Sequence, residues 1–141
     1  MRNALAALAV VLLCAPAALA VDDGQTQPKV STAVNNSSST PTDLIATTNG
    51  SGNVKGVLCR LTEASGNYTS AVVKFYVNGG AAQTVSLDET YQPEATIGGT
   101  NYAYTGWVPF NVRFSSSIRI TIQKSGSSGG GIECIAAWGL D

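Results

Sequence analysis

The chain contains no histidine. That removes the side chain most often used as a general base near neutral pH, and with it every Ser-His or Cys-His nucleophile pair and the usual hydrolytic zinc sites. Charge is scarce as well: 12% of residues, with eight basic side chains against nine acidic ones and neither sign clustered. A nucleic-acid-binding domain would show a basic patch and a lipid-binding one a polybasic run, so neither partner is expected. Aromatic residues amount to only 7%. Past the N-terminus no apolar run approaches the roughly 20 residues that a membrane-spanning helix needs.

What is there begins with residues 1–20, MRNALAALAVVLLCAPAALA, in which one arginine precedes an apolar run from Ala4 to Cys14, then Pro16 and Ala18-Leu19-Ala20. This is the three-part layout of a secretory signal peptide, and it predicts cleavage after Ala20 and a periplasmic or extracellular product. A lipid anchor on Cys14 is disfavoured, because bulky Leu13 stands where a small residue belongs. The remaining chain of about 121 residues suits one domain. Loss of Arg2 takes its net charge from −1 to −2.

Cys14 leaves with the leader, so Cys59 and Cys134 remain. In an oxidising compartment such a pair reads as a disulfide, two buried thiols being the alternative. Closing a loop of about 75 residues would remove about 4 to 4.5 kcal/mol of denatured-state entropy in the chain-entropy model.

Residues 21–42 (VDDGQTQPKVSTAVNNSSSTPT) are polar and poor in bulky side chains, and are expected to form a flexible arm or linker. The alternative is a strand docked through Val30 and Val34, its only sizeable apolar residues. From residue 43 onward short alternating runs separated by Gly/Ser-rich turns predict an all-β domain, residues 43–141. Residues 53–63 place Val57, Cys59 and Leu61 on one face. Residues 70–77 place Ala71, Val73, Phe75 and Val77 together and end at Asn78-Gly79, a strong hairpin signal leading into residues 81–87. Pro109 marks an edge, bulge or bend in residues 107–114. Residues 117–124 turn Ile118, Ile120 and Ile122 inward and Arg119, Thr121 and Gln123 outward. Residues 132–138 set Cys134 beside Ile132, Ala136 and Trp138. Seven to eight antiparallel strands without crossover helices define a β-sandwich, jelly-roll or immunoglobulin-like.

No catalytic residue emerges, and no cofactor is expected. Asp88, Glu89 and Glu94 form the only carboxylate cluster. They are read as solvated loop charges before a glycosidase-like pair, with calcium ligation a weaker reading because the D-x-D-x-D-G spacing is missing. Lys74 lies mid-strand on the polar face and is read as solvent-facing. Asn35, Asn36, Asn49 and Asn67 each begin an Asn-x-Ser/Thr triplet, for which turn chemistry is the preferred explanation over glycosylation. The candidate ligand site is aromatic. Residues 98–110, GGTNYAYTGWVPF, concentrate Tyr102, Tyr104 and Trp107, and Tyr91 lies in the long stretch before them. Rings with polar tips suit a glycan or protein partner. The competing reading is a strand over residues 101–108 with its tyrosines packed on a sheet.

The stretches VPFNVRFSSSIRITIQKSG and VKFYVNGGAAQTVSL resemble small β-sandwich proteins found among bacteriophage structural and accessory genes. The resemblance implies a sandwich fold and an assembly role, and carries over no catalytic residue; the leader peptide departs from that pattern. The expected function is a secreted, non-catalytic module with a structural, adhesive or self-assembling role, as a homo-oligomer or on a glycan or protein partner. A carbohydrate-binding module using the aromatic loop, and a phage-like virion accessory or assembly subunit, are the alternatives.

Overall fold

The computed structural model describes residues 27–35, 40–64, 67–68, 70–87, 95–125 and 130–141. The expected leader (residues 1–20), Asn36 and the stretch holding Asp88, Glu89, Tyr91 and Glu94 lie outside them. Within these residues eleven strands run in chain order: β1 (Gln27–Asn35), β2 (Thr42–Asn49), β3 (Gly52–Ala64), β4 (Asn67–Tyr68), β5 (Ser70–Val77), β6 (Gln83–Leu87), β7 (Ala95–Ile97), β8 (Thr100–Tyr104), β9 (Val108–Phe114), β10 (Ser117–Ser125) and β11 (Ile132–Leu140). Among the described residues there is no helix, hence none long and apolar enough to cross a membrane.

The strands form two antiparallel sheets. One follows the order β1-β11-β3-β8-β7, with β4 and β9 also paired to β3; the other runs β2-β10-β5-β6. The chain is therefore an all-β antiparallel β-sandwich, richer in strands than the seven to eight expected because β1 lies in the segment expected to be an arm and the short β4 and β7 carry little periodic signal.

Strict alternation builds the core between the sheets. From the seven-stranded sheet come Val57, Cys59, Leu61, Ala103, Cys134 and Ala136, and from the other Val73, Ile118, Ile120 and Ile122, all with no exposure to solvent. Phe75 and Phe110 meet edge to face across the gap, with ring centroids 4.7 Å apart. Side chains that alternate in sequence alternate between faces, so the period-2 reading finds this core almost residue for residue. Thr121 departs from it. Expected outward, it is 1% exposed where β10 pairs irregularly with β2.

The Asn78-Gly79 hairpin forms with positive φ at both residues (53° and 71°) and a Gly80 N–H to Val77 carbonyl bond of 2.9 Å. The Asn78 side chain does more than turn the chain. Its Oδ1 accepts hydrogen bonds from the Ser115 and Ser116 amides, both at 2.9 Å, and so ties this hairpin to the β9-β10 turn.

Cys59 and Cys134 are bonded, and sit directly opposite each other on β3 and β11. The bridge therefore joins neighbouring strands of one sheet. The Cys59 N–H donates to Thr105 Oγ1 (3.0 Å) and its carbonyl accepts from the Thr105 N–H (2.9 Å). With its backbone groups turned away from β11, Cys59 forms with Cys134 a non-hydrogen-bonded pair, the closer of the two antiparallel pair types; the Cα atoms are 4.1 Å apart.

The segment read as a flexible arm departs from that reading over residues 27–35. These form β1, paired with β11 over nine consecutive positions. Val30 and Val34 do not dock it: they are 73% and 52% exposed. The docked face is instead small and polar. Ala33 is buried, Ser31 Oγ accepts from Trp138 Nε1–H at 2.8 Å, and Lys29 Nζ lies 4.9 Å from the centroid of the Trp138 ring. Asn35, also buried, sits just before the chain crosses to the other sheet. Its Nδ2 donates to the Thr40 carbonyl (2.6 Å) and Thr42 Oγ1 (2.9 Å), and its Oδ1 accepts from the Lys124 N–H (3.3 Å). A count of apolar residues misses a strand held by its ladder and its polar contacts. The amide of Asn35 is engaged inside the fold, so in the folded chain it is no glycan acceptor.

Candidate ligand-binding face

Because the core-facing residues of β3 are odd-numbered from Val57 to Leu61, the even-numbered ones look outward. The outer row begins with Gly56, Leu58, Arg60 and Thr62. β8 pairs alongside in a register that sets Tyr104 opposite Arg60, Ala103 opposite Leu61 and Tyr102 opposite Thr62. Ala103 is fully buried, which puts both tyrosines, each half-buried, on the outer face. On the other side of β3, β11 contributes Glu133, Ile135 and Ala137 to the same face. The second sheet covers only the opposite face. Among the described residues no further layer lies over this one.

Trp107 extends the row. β8 ends at Tyr104 and β9 begins at Val108, so the expected strand over residues 101–108 is split by a link in which Gly106 has φ of 69°. Val108 faces Val57, and the indole of Trp107 lies instead across Gly56. A Cβ placed on Gly56 would come within 2.6 Å of Trp107 Cζ2, 2.7 Å of its Cε2 and 2.5 Å of the Val108 carbonyl oxygen. Only glycine permits this approach. One side of the indole rests on the strand, and the residue remains 47% exposed. A shallow depression of about 410 Å³ adjoins it, lined by Thr105, Gly106, Trp107, Val108 and Pro109. Pro109 pairs with Gly56, and a bulge follows it at once, with Asn111 at φ 49° where β9 slips by one residue against β3.

The polar element of the face is Arg60. Its guanidinium forms an ion pair with Glu133 and stacks 4.7 Å from the Tyr102 ring centroid. At about 3.3 Å per residue, Trp107 over Gly56, Tyr104 beside Arg60 and Tyr102 beside Thr62 span about 20 Å along β3. Such a row offers flat apolar rings flanked by a charged donor and acceptor, a surface suited to a ligand with apolar faces and hydroxyl edges.

Of the residues singled out from the sequence, the structure brings Tyr102, Tyr104 and Trp107 onto one face. Tyr91 and the calcium candidates Asp88, Glu89 and Glu94 lie outside the described residues. Among the described residues no three His, Cys, Asp or Glu side chains are grouped as metal ligands. Lys74 is partly exposed beside Thr84 and Thr121. Arg60 and Gly56 escaped sequence reading. A glycine within an otherwise alternating strand was the available signal for Gly56, since it marks a place where another group comes close.

Fold and face together define a disulfide-bonded antiparallel β-sandwich with an aromatic outer surface. No family model and no curated protein matches the chain. Among solved structures it is similar to those described as the structure of infectious bursal disease virus, Gx strain (18% identity, TM-score 0.36, covering 82% of this chain and 33% of that one). The Gt strain structure compares similarly (18% identity, TM-score 0.35, 82% and 34%). The chain spans about a third of the length of those chains.

Proposed function

We propose that the chain is a secreted, non-catalytic adhesive module that binds a glycan across the outer face of its seven-stranded sheet, through Trp107, Tyr104 and Tyr102 with Arg60 at the centre. The observation that carries this reading is the placement of all three aromatic residues on the sheet face opposite the core. Packed between the sheets they would have been structural only. The leader-like residues 1–20 and the disulfide support an oxidising, non-cytoplasmic location. The lack of histidine and the oxidised state of both core cysteines support a role in binding rather than catalysis.

A glycan array probed with the purified chain tests it. At least one hit is expected, weakened about tenfold or more by Tyr104→Ala with the fold retained, as for an aromatic anchor losing about 1.4 kcal/mol. An array without hits sinks the proposal. Turnover of glycan or ester substrates that disappears in Asp88→Asn or Glu89→Gln would replace binding with catalysis.

A further inference from the structure

The margins of the two sheets are unequally protected. β4, β6 and β7 are two, five and three residues long. β2 pairs through register shifts and carries Asp43, which is salt-bridged to Arg119; β9 carries Pro109, a bulge and Arg113. Short length, bulges, proline and charge are the devices that keep sheet edges from associating. β1 lacks them along most of its length. It is nine residues long and pairs with β11 without a register shift, and its one proline and one charge, Pro28 and Lys29, both stand at its N-terminal end. Among the described residues no strand lies beyond it, and it carries two of the four exposed large apolar side chains found there, Val30 and Val34.

Hydrogen-bond alternation identifies what this edge presents. Since Cys59 and Cys134 form a non-hydrogen-bonded pair, Cys134 turns its backbone groups toward β1 and bonds with Ala33, its partner in register. The adjacent residues Thr32 and Val34, and Val30 two before Thr32, therefore direct their N–H and C=O groups outward. Val30 and Val34 stand symmetrically about Thr32. We infer that β1 is a self-association edge, on which two copies of the chain pair β1 to β1, antiparallel, about a two-fold axis through Thr32.

That register is the one that sets Val30 opposite the other copy's Val34, twice, on either side of a Thr32–Thr32 pair. β-Branched and Thr–Thr pairs are favourable cross-strand neighbours. It sets Lys29 opposite Asn35, so no like charges meet. A strand whose apolar residues complement themselves under two-fold rotation fits a second copy of itself, the isologous contact of a cyclic dimer. The rotation axis stands perpendicular to the sheet, so both aromatic faces look to the same side and a polymeric ligand could engage both. The inference does not rest on the glycan reading, because β1 and β8 lie on opposite sides of β3.

The test is sedimentation of the chain, expressed in full and purified as the cell releases it, over a concentration series. A reversible dimer is expected. Val30→Lys with Val34→Lys opposes lysine to lysine at both positions and should weaken it at least about tenfold. Val30→Lys with Val34→Glu opposes lysine to glutamate at both and should keep it. The Lys/Lys variant mixed with a Glu/Glu counterpart should restore a mixed dimer. All positions are exposed, and unchanged thermal midpoints confirm the fold. A wild-type monomer near about 1 mM, a Lys/Lys dimer as tight as wild type, or a Lys/Glu variant as monomeric as Lys/Lys each overturns the inference. Tyr104→Ala leaves the dimer intact, so failure of one proposal is distinguishable from failure of the other.

Discussion

Two sets of residues alternate along β3 and meet different fates. Val57, Cys59 and Leu61 have no solvent contact and are shared between the disulfide and the inter-sheet core, whereas Leu58, Arg60 and Thr62, one step away in each case, line a face that no other layer covers among the described residues. The difference teaches how one strand can serve two ends. The inner set holds the fold, and the outer set is free to be chosen for what it touches, provided each side chain lies flat on the sheet.

The comparison predicts a separation of effects. Leu61→Ala should cost about 2–5 kcal/mol by chemical denaturation, through the cavity it leaves between the sheets, while ligand affinity per folded molecule stays unchanged. Removing the bridge with Cys59→Ala and Cys134→Ala should cost about 2–4 kcal/mol, and reduction of the wild-type chain should lower its thermal midpoint in the same direction. Gly56→Ala is the sharpest attempt to break the comparison, since it lies on the outer row yet meets the Val108 backbone. It should cost about 1–3 kcal/mol and shift tryptophan fluorescence as Trp107 is pushed off the strand. Equal stability and an unchanged spectrum would show that the indole does not rest there. Arg60→Gln should change stability by no more than about 1 kcal/mol, because its ion pair with Glu133 is partly exposed, and any larger effect should appear in ligand affinity alone.

The inner set was legible because burial between two sheets imposes a period of two, and Ile118, Ile120 and Ile122 state it without interruption. The Asn78-Gly79 turn and the cysteine pair were legible for simple reasons, a tolerance for positive φ and the two cysteines that remain once residues 1–20 are read as a leader. The outer face was only half legible. Tyr102, Tyr104 and Trp107 drew notice by type, but which face they occupy depends on where Ala103 falls against Leu61, a register set by residues more than 40 positions apart. β1 was legible only as the alternative to an arm, and through the wrong residues, because it is held by a ladder to β11, by small Ala33, by Ser31 on Trp138 and by Asn35 on Thr40, Thr42 and Lys124, none of them a sizeable apolar side chain. The capping of the β9-β10 turn by Asn78 escaped, since nothing local links position 78 to positions 115 and 116.

Asn35 decides what kind of event association at β1 would be. Exchange of the strand between copies would require its amide to leave Thr40, Thr42 and the Lys124 backbone, breaking hydrogen bonds that are buried or partly so. Addition of a second copy at the outer margin disturbs none of these. Assembly by that route involves no opening of the protomer: it should equilibrate quickly, reverse on dilution, and leave hydrogen-exchange protection of the β10 and β11 amides the same in monomer and dimer.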